Sequence, residues 1–144
     1  LKDGSTIITS QDLAAEGIIT SNVEIVSRDF AQKHPEMVTK YIRALDRAVK
    51  LYNEDRDDAV KTIAEAMNIS EEEALKQTQG SIWLTAEEQL SPDYFGTSQK
   101  KGALAENLKD TADFLYEQKS LMTEPKLETF TDAVNPSYIE NGVS

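Results

Sequence analysis

Two short β-branched runs stand near the head of the chain, and nothing after them reads as a strand. Thr6-Ile7-Ile8-Thr9 is entered from the turn dipeptide Asp3-Gly4. Val23-Glu24-Ile25-Val26 alternates, so Val23 and Ile25 share one face. Between them Gly17 permits a tight bend before Ile18-Ile19-Thr20-Ser21-Asn22. Two short strands cannot make a stable sheet by themselves. Their pairing partners must therefore lie in polypeptide outside these residues or in another copy. That deficit conditions every later reading.

From Ser27 onward the pattern is helical. Phe30-Ala31-Gln32-Lys33 reads as one turn, broken at His34, because a residue before proline is biased away from the α region. Pro35 suits the first position of the next helix. Val38, Tyr41, Ile42, Leu45, Ala48, Val49 and Tyr52 then recur at three- and four-residue spacing, the strongest periodic signal in the chain. Ala59, Ile63, Ala66 and Met67 predict a second helix from near Asp57 to near Asn68. Ser70 with Glu71, Glu72 and Glu73 is an N-cap with an acidic first turn, opening a third helix that Gly80 stops. Thr85 and Glu88 repeat the capping box and start a short helix ending near Pro92. After a loop from Ser91 to Gly96, a long helix is expected from about Ser98 to Ser120, with Gly102 near its start. The tail from Leu121 to Ser144 is mixed, with Pro136 beginning a last helical turn through Tyr138 and Ile139.

Composition enters mainly by exclusion. The 144 residues suit one domain, and 39% hydrophobic with 28% charged residues disfavours wholesale disorder. Fifteen basic against 26 acidic side chains give a net charge of −11, which repels nucleic acid and anionic membrane surfaces alike. No apolar run approaches the roughly 18 residues of a membrane span. Cysteine is absent, so disulfides, thiolate catalysis and Cys-ligated zinc are excluded for these residues.

Catalytic chemistry finds no foothold. Asp57-Asp58, Glu71 to Glu73 and Glu87-Glu88 are neighbours on helices and point in different directions, so they read as solvated faces and helix first turns. Asp55, Asp57 and Asp58 begin like a calcium loop, but Val60 stands where the glycine is required and Ala66 where the last acid is required. No metal site and no cofactor is expected. His34 is the single histidine, no Gly-x-Ser-x-Gly elbow exists, and the six glycines are scattered rather than gathered into a phosphate loop. Asn68-Ile69-Ser70 satisfies a glycosylation pattern, although Ser70 already has a capping role.

Two spots suit ligand contact. Thr20-Ser21-Asn22 places two hydroxyls and an amide beside a strand, where they can satisfy a polar ligand or simply make a turn. Trp83, the one tryptophan, lies in a non-helical connection between Gly80 and Thr85, as a core anchor or a ligand platform.

Four segments in order resemble the C-terminal half of periplasmic-type solute-binding proteins of ABC importers, in the taurine and aliphatic-sulfonate branch. They are Ser27-Arg28-Asp29-Phe30-Ala31-Gln32-Lys33-His34-Pro35-Glu36, Trp83-Leu84-Thr85-Ala86-Glu87-Glu88-Gln89-Leu90, Asp110-Thr111-Ala112-Asp113-Phe114-Leu115-Tyr116-Glu117-Gln118 and Asp132-Ala133-Val134-Asn135-Pro136-Ser137-Tyr138-Ile139. Ala86 stands where that family often has proline. The resemblance implies an α/β, type II periplasmic-binding-protein-like fold of which only the C-terminal portion is present, mostly helical with two short strands. Residues 1–144 would be one C-terminal segment of a two-lobed protein. Within it, residues 1–26 would end the second lobe and form a hinge strand, and residues 27–144 would form the helical part of the first lobe.

By the same resemblance the chain is no enzyme. It captures a small anionic solute, a sulfonate such as taurine, in a cleft between the lobes and passes it to an ABC permease. The ligand-binding candidates are Thr20, Ser21, Asn22 and Trp83. Asn22 stands where taurine binders carry an acid suited to the ligand's amine, which leaves taurine and plain alkanesulfonates both open. The expected location is extracytoplasmic, in a periplasm or as a cell-surface lipoprotein, with membrane contact only through a lipid anchor outside this chain. Unpaired strand edges favour self-association of the isolated segment. Two rivals remain: a pyrimidine- or thiamine-precursor protein of the same fold, which binds or synthesises its product, and a helical interaction module with a disordered N-terminal third.

Overall fold

The computed structural model describes residues 5, 7–16 and 21–143. Among them every regular element is a helix: α1 (Ser10–Ala15), α2 (Arg28–Lys33), α3 (Pro35–Glu54), α4 (Arg56–Met67), α5 (Glu71–Gln79), α6 (Ala86–Gln89), α7 (Leu104–Glu117), α8 (Leu127–Ala133) and α9 (Ser137–Val143). The mostly helical character is as expected, but neither of the two short strands forms. Val23–Val26 is irregular chain, with Ile25 90% exposed. A strand exists only where a neighbour takes its ladder hydrogen bonds, and no described segment offers one. Of Thr6–Thr9, Thr6 lies outside the described residues, and Thr9 is a helix cap instead. Its hydroxyl accepts the Asp12 N–H at 3.1 Å, while its own N–H donates to Asp12 Oδ2 at 2.8 Å, starting an α1 that the β-branched run had concealed. The single pairing of strand type among the described residues is an isolated bridge between Gly96 and Lys101.

The chain divides into two compact units, residues 1–26 with 47–83 and residues 27–46 with 84–144, and α3 contributes to both. In the first unit, α4 and α5 form a hairpin. Asp55 caps α4 by accepting the Asp58 N–H at 3.1 Å. At the other end Asn68 takes a left-handed φ of 54°, and its N–H and that of Ile69 return to carbonyls of the last turn. Ser70 then caps α5 through the Glu73 N–H at 3.2 Å. The core of this hairpin is Tyr52, Ala59, Val60, Ala64 and Ala74, with Ile63, Ile69 and Leu75 against it. Three of those five are alanines, which let the helix backbones approach closely; Ala74 is completely buried.

In the second unit His34 ends α2, and its carbonyl accepts the N–H groups of Met37 and Val38, so the residue before proline both breaks one helix and begins the next. The first part of α3 is tied to the chain's end. The Arg43 guanidinium donates to the carbonyls of Asn141 (3.0 Å) and Gly142 (3.1 Å), the exposed acceptors at the end of α9. Asp46 accepts the N–H of Ala86 at 2.8 Å, serving one of the otherwise unpaired donors that open α6. Thr85 and Glu88 make both bonds of the capping box. A separate cluster of Leu104, Ala105 and Val134, with Phe95, Leu108 and Phe130, joins α7 to α8.

The long helix begins at Leu104 rather than near Ser98. The backbone before it is already bonded elsewhere: Thr97 N–H to Lys100 O, Gly102 N–H to Phe95 O and Ala103 N–H to Pro92 O, each at 2.8 Å. Gly96 has a φ of +66°, and a Cβ at Gly102 would collide with the Tyr94 carbonyl. Gly102 is therefore a loop glycine that closes this turn. The helix α8 was hidden in a tail that reads as mixed, and α9 is a fuller helix than the single turn expected after the buried Pro136.

Candidate functional site

The first unit carries an open cleft of about 340 Å³ where α3 passes into α4 and α5 gives way to the Trp83 connection. Its floor is Tyr52 and Thr78, both buried; Asn53, Arg56, Gln79, Ser81 and Trp83 stand around it. Capping explains the placement. Asp55 starts α4 one residue after α3 ends, so Tyr52 and Arg56 lie four positions apart across the junction. The Arg56 guanidinium rests 5.1 Å over the Tyr52 ring, a cation–π contact. On α5, the Thr78 hydroxyl donates back to the carbonyls of Ala74 (3.0 Å) and Leu75 (3.1 Å), which satisfies its buried oxygen.

Trp83 is held at its edge and open on its surface. Its indole N–H donates to the Thr78 carbonyl at 3.0 Å, and its ring packs against Tyr52 at a centroid distance of 5.9 Å and a tilt of 52°. The residue nevertheless remains 42% exposed. The anchor and platform readings of Trp83 thus describe different parts of one side chain: the N–H is committed to the protein, while apolar ring surface stays available. Tyr52 and Arg56 were not singled out as site residues from the sequence. Their signal is there, an aromatic and a cation at helical i,i+4 spacing, masked because Tyr52 also fits the core stripe of α3.

The other candidates lie apart from this cleft. Thr20 is outside the described residues. Ser21 and Asn22 are exposed, belong to irregular chain and do not line the cleft with Trp83.

The cleft lining contains one guanidinium, amides, hydroxyls and aromatic surface, with no carboxylate and no nucleophile beside a base. The His34 ring lies 5.1 Å from that of Phe30, away from any such pair, in a helix-junction role. Among the described residues no group of three His, Cys, Asp or Glu side chains is arranged to hold a metal ion. The carboxylates with shifted acidity are caps and ties. Glu88 is held below the ordinary glutamate range by the backbone N–H and then the hydroxyl of Thr85. Glu140 is lowered by the Ser98 hydroxyl and N–H, and Asp12 by the hydroxyl and N–H of Thr9. No helix among the described residues is long and apolar enough to cross a membrane.

Over 123 residues the chain is 28% identical to the taurine-binding periplasmic protein of Escherichia coli (strain K12), an alignment covering 81% of this chain and 36% of that protein. The chain thus spans about a third of the length of the curated relative it matches. No protein-family model matches the chain, and no solved structure does.

Proposed function

We propose that this chain is part of the substrate-binding component of an ABC importer, which captures a small sulfonate, taurine or an alkanesulfonate, outside the cytoplasm and delivers it to a membrane permease. The observation that carries this reading is the similarity to a taurine-binding periplasmic protein along 81% of the chain. In this reading residues 1–26 end one lobe and supply a hinge strand, residues 27–144 belong to the other lobe, and the ligand is captured by hinge closure without covalent chemistry. Thr20, Ser21 and Asn22 contribute hydroxyl and amide donors, and Trp83 an apolar surface for the carbon body. Asn22 is neutral, so it offers the amine of taurine no counter-charge.

The net charge of −11 does not oppose such a ligand. Net charge acts over the whole surface, whereas a sulfonate in a closed cleft responds to the nearest N–H donors. Calorimetric titration of the protein at its full natural length, with taurine, ethanesulfonate and a thiamine precursor, tests the proposal. Saturable heat with a sulfonate is the expected result. A folded protein that binds neither sulfonate overturns the substrate class, and binding of the thiamine precursor alone transfers it to the rival reading.

A further inference from the structure

The cleft of the first unit holds polar groups of two kinds, those committed to the fold and those that are not. The Thr78 hydroxyl is returned to its own helix, and the Trp83 N–H to the Thr78 carbonyl. The Arg56 guanidinium, the Asn53 amide and the Ser81 hydroxyl make no hydrogen bond to any described residue. All three side chains belong to exposed residues around a space of about 340 Å³. That volume lies at the small end of the roughly 300–1,000 Å³ that suits a small molecule.

Charge selects first. Among the described residues Arg56 supplies the one charge in the lining. Its contact with the Tyr52 ring, 5.1 Å from the centroid, engages the cation's charge without consuming its N–H donors. Glu54, Asp55, Asp57 and Asp58 flank it in sequence, but none of them lines the cleft, and Asp55 is occupied as the cap of α4. A fork of N–H donors matches the two oxygens of a planar carboxylate. The remaining groups specify the body of the ligand. The Asn53 amide and the Ser81 hydroxyl each both donate and accept, which is the complement of ligand hydroxyls. Trp83 is 42% exposed with its N–H already bonded, so it offers the ligand an apolar face. A sugar ring meets both demands, with hydroxyls around its edge and a face of C–H groups. We infer that this cleft binds a sugar acid, its carboxylate on Arg56, its hydroxyls on Asn53 and Ser81, and its C–H face on Trp83. The inference does not depend on the sulfonate reading, with which it shares only the Trp83 ring.

Glucuronate is the probe, titrated by calorimetry and NMR into the protein at its full natural length. Glucose, which lacks the carboxylate, and acetate, which lacks the ring, are the references. The expected result is saturable glucuronate binding, at least about tenfold tighter than either reference, with the Trp83 indole N–H resonance shifting. Arg56→Gln is expected to weaken that binding at least about tenfold and to leave sulfonate binding unchanged. No saturation of the folded protein at tens of millimolar glucuronate overturns the inference. Equal binding of glucose or acetate overturns it as well, as does an unmoved Trp83 resonance. Unchanged glucuronate affinity in Arg56→Gln removes the carboxylate contact and with it the inference. Loss of sulfonate affinity in that variant makes Arg56 part of the transport site and overturns it too. Should Arg56→Gln fail to fold, Asn53→Ala decides, with an expected loss of about threefold and no loss as the contrary result. Glucuronate binding in a protein that takes no sulfonate leaves this site assigned and removes the substrate proposal.

Discussion

The helix α3 and the α4–α5 hairpin invert what their sequences suggest. Along its 20 residues α3 has the clearer apolar stripe, yet Tyr52 near its end is its one buried residue. The hairpin has a weaker pattern, rich in alanine and glutamate, and buries Ala59, Val60, Ala64, Ala74 and Thr78. Periodicity says which side of a helix will seek burial; it does not say whether a partner is within reach. The hairpin carries its own partner just across the three-residue capped turn 68–70, and small side chains let the two backbones close. The partner of the exposed part of α3's stripe lies at no such distance among the described residues.

That contrast can be broken by substitution in the protein at its full natural length, with stability read by urea or thermal unfolding. Tyr52→Ala removes the aromatic shared by the hairpin core and the Trp83 ring and is expected to cost about 3–4 kcal/mol. Leu45→Ala is the sharper test. If that part of the α3 stripe is covered in the complete protein, the loss is about 2–3 kcal/mol, in the range of a buried leucine. A change below about 0.5 kcal/mol would class Leu45 with ordinary surface residues and remove the contrast. Ala74→Leu forces three extra carbons into a wholly buried position and is expected to cost about 1–3 kcal/mol, confirming that the hairpin is packed to its limit. Trp83→Phe keeps the ring against Tyr52 but removes the indole donation to the Thr78 carbonyl, which still accepts the Ser81 N–H at 3.3 Å, for a loss of about 0.5–1 kcal/mol.

The smallest effect concerns pH. Glu88 titrates below its ordinary value because Thr85 donates to its ionised form. A depressed folded-state value means that the stabilisation is complete above the unfolded value and is lost as pH falls through the folded one. Glu88→Gln is therefore expected to lower Tm slightly at neutral pH, where the ionised carboxylate stabilises, and so to make the decline of Tm on the acid side shallower. A steeper acid decline in the variant would contradict the assigned direction.

Local chemistry was the legible part of the sequence. Ser70, Thr85, His34-Pro35 and Gly80 mark helix ends because a cap needs only three or four consecutive residues, whereas Asp55, which caps α4, reads in the sequence only as the start of a failed calcium loop. Where a remote backbone segment decides the outcome, the sequence misleads. Ser98 to Ala103 reads as the start of a helix until the carbonyls of Phe95 and Pro92 claim the N–H groups of Gly102 and Ala103. Thr9 hides a cap inside a β-branched run, and α8 lacks any side-chain cap to announce it. At the candidate site Trp83 was visible as an unusual residue in a connection. Its division into an anchored edge and an open surface depends on Thr78 and Tyr52, which only folding brings near.

All of these points return to the strand pattern that opens the chain. Val23–Val26 is the segment whose behaviour separates a piece of a sheet-containing binding protein from a helical module with a loose leader. Hydrogen exchange of its backbone amides, in the protein at its full natural length, tests that directly. Slow exchange, comparable to the amides of α4, is the predicted result, because those N–H groups would be paired in a sheet completed by polypeptide outside residues 1–144. Exchange as fast as an unstructured chain would contradict it and favour the helical module with a loose leader.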